Sequence, residues 1–113
     1  MVVERDPWAS QLRKGVLELA VLSLLHDEPK YGSQLVAELA AEPALVITAG
    51  TVYPLLARLS KGGVVATHWQ ESPSGPPRKY YALTPGGRTR QAALATEFGA
   101  VAKAMANLLG GVR

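Results

Sequence analysis

A chain of 113 residues is long enough for one domain around one hydrophobic core, and 48% hydrophobic with 19% charged residues is the balance of a folded protein rather than a disordered one. With no cysteine, and with His26 and His68 far apart, neither a disulfide framework nor a thiolate zinc site is available. The formal net charge of +3 hides an asymmetry, since residues 1–50 carry four Lys/Arg and seven Asp/Glu while residues 51–113 carry eight and two; such clustering signals a polyanion partner only where the cations share one docking face.

The opening MVVERDPWASQLRKG lacks the basic start and long apolar stretch of a secretory signal, and the run Val16 to Leu25 is too short to span a bilayer. A soluble, cytoplasmic chain without a membrane partner is therefore expected. From Ser10 to His26 the pattern is helical, with Leu12, Val16, Leu17, Leu19, Val21, Leu22, Leu24 and Leu25 covering nearly the whole circumference. A helix apolar all round is covered on more than one side, and in so small a domain one side is expected to belong to a partner subunit. Asp27-Glu28-Pro29 ends it.

A second helix is expected over Tyr31–Ala41, with Leu35, Val36 and Leu39 on one face, closed by Glu42-Pro43. Ala44 to Ile47 reads as an extended connection. Thr48 is placed as the N-cap of a third helix in which Val52, Leu55, Leu56 and Leu59 follow i, i+3, i+4, i+7, and Gly62-Gly63 ends it. Pro54 removes one hydrogen bond inside that helix, so its early turns are expected to be distorted.

Val64–Glu71 and Arg78–Thr84 read as two antiparallel strands joined by the turn residues Ser72 to Pro77. Of the two tyrosines in the second strand, period two sends one inward. Tyr81 with Leu83 is assigned to the core and Tyr80 to the basic side. Thr84-Pro85 then matches an N-cap with proline at the first helical position, opening a helix to about Leu109. Within it Leu94, Phe98, Val101, Met105 and Leu108 are spaced alternately by four and three residues, the repeat of a helix-pairing seam. The stripe packs either on its own domain or on a second copy, and the all-round apolar first helix favours the second copy. Leu12, Val16 and Leu19 with the seam residues are the expected dimer interface.

Three helices followed by a hairpin is the order of a winged helix-turn-helix, in which the third helix enters the major groove and the wing reaches backbone or minor groove. The fold class expected is mainly helical α+β, with residues 1–84 as the DNA-binding part and residues 85–113 as a C-terminal dimerisation helix of one compact unit. Arg58 and Lys61 on the third helix and Arg78 and Lys79 on the wing are then candidates for phosphate contact. Thr48, Thr51 and Tyr53 lie at the start of the third helix, where hydroxyls reach phosphate or base edges. Thr51 equally suits a bond within its own helix, and Tyr53 equally suits packing on the second.

The segments Leu17 to Leu25, Tyr31-Gly32, Thr48 to Leu59 and Pro77-Arg78-Lys79-Tyr80-Tyr81-Ala82-Leu83-Thr84 together resemble the PadR-type transcriptional regulators, and the single terminal helix resembles their short, LmrR-like subfamily. The resemblance implies a homodimer on a pseudo-palindromic operator, commonly a repressor, with Tyr31 and Tyr80 added to the DNA-binding set. Ser33-Gln34 stands where the family often has a second aromatic and an acid, and both residues join the set as phosphate contacts. Some short members hold flat aromatic drugs between terminal-helix tryptophans. This chain has none there, and Trp8 with Phe98 is the corresponding candidate pocket for an apolar or aromatic effector. The alternative reading is a multidrug-binding dimer whose DNA role is secondary. No nucleophile with a base, paired carboxylates or metal-ligand spacing is apparent, so no catalysis, cofactor or metal site is expected.

Overall fold

The computed structural model describes residues 7–110. In chain order it contains α1 (Pro7–Leu24), β1 (Lys30–Tyr31), α2 (Gly32–Ala40), a 3-10 turn (Pro43–Leu45), α3 (Ala49–Lys61), β2 (Val65–Ser72), β3 (Gly75–Leu83) and α4 (Pro85–Leu108). The three strands form one antiparallel sheet in the order β1-β3-β2. Lys30 and Tyr31 pair with Tyr81 and Tyr80, while Val65, Thr67 and Trp69 pair with Leu83, Tyr81 and Lys79.

The core forms where the apolar periods meet. Val21, Leu22 and Leu25 come from the end of α1, Leu35 and Leu39 from α2, and Val52, Leu55, Leu56 and Leu59 from α3; Val64, Val65 and Tyr81 close it from the hairpin side. Each fully buried aliphatic side chain contributes about 1.5–3 kcal/mol against the conformational entropy of ordering the chain. The third helix is the centre of this packing, since its whole apolar stripe is buried. Tyr81 is buried and Leu83 packs against the same cluster, as the strand period required.

α3 runs unbroken through Pro54, whose ring lies on the exposed side, so the expected distortion of its early turns does not interrupt the helix. It ends in a double hydrogen-bonded turn: Val64 N–H donates to Leu59 O at 2.9 Å and Gly63 N–H to Ser60 O at 3.1 Å. Gly63 has φ 78, a left-handed conformation that suits glycine.

Several expectations change. α1 is already helical at Pro7, the first described residue, ahead of the expected Ser10, and it ends at Leu24. Residues 43–45 coil into a 3-10 turn instead of extending, with Val46 at φ 50 as its left-handed end. Tyr31, expected to open α2, instead forms the strand β1 with Lys30, and α2 runs Gly32–Ala40. The turn between β2 and β3 shrinks to Pro73-Ser74, and Pro76 and Pro77 belong to β3. β1 pairs only at Tyr80 and Tyr81, so it does not reach the prolines; adjacent residues of a strand direct their N–H positions to opposite edges, so one proline faces the free outer edge and the other falls at the irregularity in the β2–β3 pairing.

A compact knot joins α4 to the rest. Thr84 Oγ1 accepts from Gly87 N–H at 2.9 Å as the helix cap, and donates toward Gly63 O at 2.7 Å and Val64 O at 3.1 Å. Further along α4, Arg88 donates to His26 O, Gln91 to Ser23 Oγ, and Arg90 pairs with Glu18. The first turns of the last helix are thereby fixed against the end of α1 and the junction of α3 with the wing. Beyond them α4 projects as a free arm. Phe98 is 49% exposed, Val101 50%, Met105 44% and Leu108 79%.

Candidate nucleic-acid interface

Side chains from three elements meet beside the wing. An open notch of about 250 Å³ is lined by Tyr31, Gly32 and Ser33 at the start of α2, Tyr53 on α3, and Arg78, Lys79 and Tyr81 on β3. The approach of α3 to α2 depends on Gly32: a Cβ there would lie 2.5 Å from the Tyr53 ring. The Tyr31-Gly32 pair is thus the seat of Tyr53. Tyr53 remains 43% exposed, so it packs on α2 and still presents its ring edge and hydroxyl to the notch.

The wing's cations are held by aromatic rings. The Arg78 guanidinium lies 4.3 Å from the Tyr31 ring centroid, and Lys79 Nζ lies 5.8 Å from that of Tyr81. Tyr31 meets Tyr80 edge-on at 5.4 Å, and Tyr80 stacks on His68 at 5.7 Å. Such contacts order long side chains while leaving their charge outward. Neither cation has a carboxylate partner among the described residues. Burial raises the Tyr81 hydroxyl above its ordinary range, with the nearby Tyr53 adding to the effect, so Tyr81 is neutral beside Lys79.

The other sequence-predicted residues do not all gather here. At 100° per residue, the outward face of α3 is Gly50, Pro54, Ala57 and Lys61, with Thr51 and Arg58 on the flank away from the wing. Arg58 instead borders a cavity of about 360 Å³ with Lys14, Glu18, Arg90 and Leu94. Lys61 is exposed in the last turn of α3. Thr48 is the N-cap of α3 by backbone conformation but makes no side-chain cap bond; its hydroxyl lies 3.3 Å from that of Thr51. Gln34, expected as a phosphate contact, has its polar atoms engaged within the protein: its Oε1 accepts Tyr31 N–H at 3.3 Å and its Nε2 donates to Glu38 at 3.3 Å. Ser33 stays exposed at the notch.

Lys30, the residue before Tyr31 in β1, was not anticipated. It is buried between Glu28 and Glu38, with Nζ 3.2 Å from Glu38 Oε1 and 3.4 Å from Glu28 Oε2. Burial by itself would lower this ammonium, but the two carboxylates, Glu38 foremost, outweigh it and hold it above its usual value. The pair pins β1 to α2 and so sets Tyr31. Its sequence signal was only a lysine after proline. Of the residues assigned to an effector pocket, Trp8 is 78% exposed at the start of α1, and neither it nor Phe98 borders the cavities described here. Leu12 is likewise exposed, Val16 and Leu19 are half-buried, and Leu94 packs on the core.

Three helices with a tight turn region between the second and third, closed by a two-stranded hairpin that carries basic side chains, define a winged helix-turn-helix protein. The chain belongs to the transcriptional regulator PadR-like family, whose model matches residues 21–93. A PadR-like transcriptional regulator from Bacillus cereus is 33% identical, with a TM-score of 0.80 over 88% of this chain and 96% of its own. A PadR family transcriptional regulator from Eggerthella lenta is 36% identical, with a TM-score of 0.76 over 88% and 86%. The fold is also that of Bacillus subtilis PadR in complex with operator DNA, at 22% identity and a TM-score of 0.62 over 69% of this chain and 45% of that one. The family's members are transcriptional regulators rather than enzymes. Among the described residues no helix is long and apolar enough to cross a membrane.

Proposed function

We propose that the chain is a sequence-specific, homodimeric DNA-binding repressor. The observation that carries this reading is the convergence of Ser33, Tyr53, Arg78 and Lys79 from α2, α3 and the wing on one open notch. Two unpaired cations, two hydroxyl-bearing side chains and the backbone at the start of α2 suit a phosphate of the duplex, while the outward face of α3 is lined by small residues that let its backbone approach the major groove closely. Lys61 ends that face. Thr51 and Arg58 reach the sugar-phosphate backbone from the flank away from the wing.

The dimer reading rests on the free arm of α4. A stripe of Phe98, Val101, Met105 and Leu108 lies open along a helix whose base is locked in place, and Leu12 of α1 is equally uncovered. Pairing with a second copy removes both exposures at once and places two recognition helices on one duplex. An apolar effector held near Phe98 and Trp8 would act by preferring one arrangement of the paired arms over another.

The test is a titration against duplex DNA at rising salt. Affinity falls steeply, since each phosphate neutralised contributes about 0.9 to the log–log slope. Replacing Arg78 and Lys79 together by alanine weakens binding to all sequences alike and flattens that slope. Absence of binding to any duplex at low salt would refute the regulator reading.

A further inference from the structure

Beyond Val65 and Tyr81 the hairpin leaves the body of the protein, and every residue over 66–71 and 75–79 is exposed. Most of these are polar or small. Trp69 is the exception, at 68% exposure, with no core beneath it. Register explains where it points. Trp69 pairs across the sheet with Lys79, on the face that carries Val65, Thr67, Tyr81 and Leu83. This is the face that turns toward the body, where Lys79 and Tyr81 border the notch with Tyr53. Trp69 is therefore the next large side chain outward from the notch, one strand beyond Lys79.

The hairpin is also stiff. Pro73 forms its two-residue turn, Pro76 and Pro77 follow in β3, and an irregularity between Gln70 and Ser72 twists the tip. A rigid arm presenting an indole beside an ammonium loses little entropy on contact, and the Lys79 charge commits that face to an anion. We infer that Trp69 is a direct duplex contact, laying its ring on the sugar edges of the minor groove while Lys79 meets the adjoining phosphate. Apolar side chains on minor-groove readers press on or between base steps and favour deformable sequence, so Trp69 contributes a preference that the charges of the wing do not. This inference rests on the DNA-binding reading and adds a wing residue to it.

Ionic and apolar contacts separate cleanly in salt. Two synthetic duplexes, one rich in A·T and one in G·C, are titrated with the full chain and with Trp69→Phe, Trp69→Ser and Lys79→Ala. The indole contact predicts that Trp69→Ser loses about tenfold in affinity at every salt concentration with an unchanged slope, whereas Lys79→Ala, which removes one phosphate contact from each wing of the dimer, lowers the slope by about two phosphates' share. Tryptophan emission gives a readout independent of affinity: saturating duplex quenches or shifts the wild-type signal, and Trp69→Phe, which retains an aromatic ring and binds, loses that response. An emission change equal in wild type and Trp69→Phe, or equal affinity of Trp69→Ser and wild type, overturns the inference and leaves the DNA-binding reading intact. A wild-type chain that binds neither duplex overturns both.

Discussion

Gly87→Ala probes the knot that fixes α4 to the DNA-binding unit. A Cβ at Gly87 would stand 2.0 Å from Val64 O and 3.3 Å from a Leu83 methyl. A carbon normally keeps about 3.3 Å from a carbonyl oxygen, so helix and strand must separate by roughly an ångström. The oxygen in the way is also the acceptor for Thr84 N–H at 3.2 Å and for Thr84 Oγ1 at 3.1 Å, and Thr84 in turn caps α4. Helix propensity favours alanine by about 1 kcal/mol. Against it stand about 1 kcal/mol for the weakened cap, about 1 kcal/mol for each strained bond to Val64, and about 1–3 kcal/mol for overpacking. The net loss is about 3–5 kcal/mol, which lowers Tm by roughly 12–25 °C in a domain of this size. Melts followed by circular dichroism, at one fixed protein concentration, read the effect. Gly86→Ala is the control, because its Cβ would meet only Thr84 Oγ1 at 3.8 Å; it should hold or raise Tm. A Gly87→Ala chain that melts at or above wild type refutes the packing described for α4.

Gly32→Ala drives a methyl into the Tyr53 ring, which is half-exposed and free to swing outward; Tm should change little while duplex affinity, read by fluorescence anisotropy, drops several-fold. Phe98→Asp places a carboxylate in the open stripe of α4 and should halve the sedimenting mass, whereas an unchanged mass would remove the stripe from the interface. Lys30 and Tyr81 are both held above their ordinary values, which favours their protonated forms in the fold. Both contributions are intact below about pH 10, where the unfolded groups begin to titrate, and both fade as pH rises through the folded values. The urea midpoint should therefore fall on the alkaline side, and fall less in Tyr81→Phe; parallel pH profiles for the two chains would contradict the role of the buried hydroxyl.

The elements that bury an apolar face were readable, because periodicity reports burial directly. The stripe of Val52, Leu55, Leu56 and Leu59 is the core face of α3, and Thr84-Pro85 does cap α4. What escaped was set by tertiary contact. β1 spans two residues, too few to show a period, and exists because Tyr81 and Tyr80 offer an edge. The two-residue wing turn is set by the pairing of Ser72 with Gly75, hidden within a run of turn-forming residue types from Ser72 to Pro77. At the interface, charge and residue type suggested four converging cations, but the rotation of α3 sends Arg58 to the side of α1 and α4, leaving Arg78 and Lys79 at the notch. Gln34, expected as a phosphate contact, also bonds the first turn of α2, a pairing with Tyr31 that residue type alone does not show. The contact of Gly32 with Tyr53 joins residues of different helices, which no local pattern encodes, although the Tyr31-Gly32 pair marked one half of it.

Whether two copies of this winged helix read one duplex is tested by footprinting the fragments of genomic DNA that the protein retains. A dimer reading one duplex should enrich a limited set of fragments, each with two protected half-sites related by a dyad and centred about one helical turn, or a multiple of it, apart. Retention without enrichment, or protection of one isolated half-site, would contradict it.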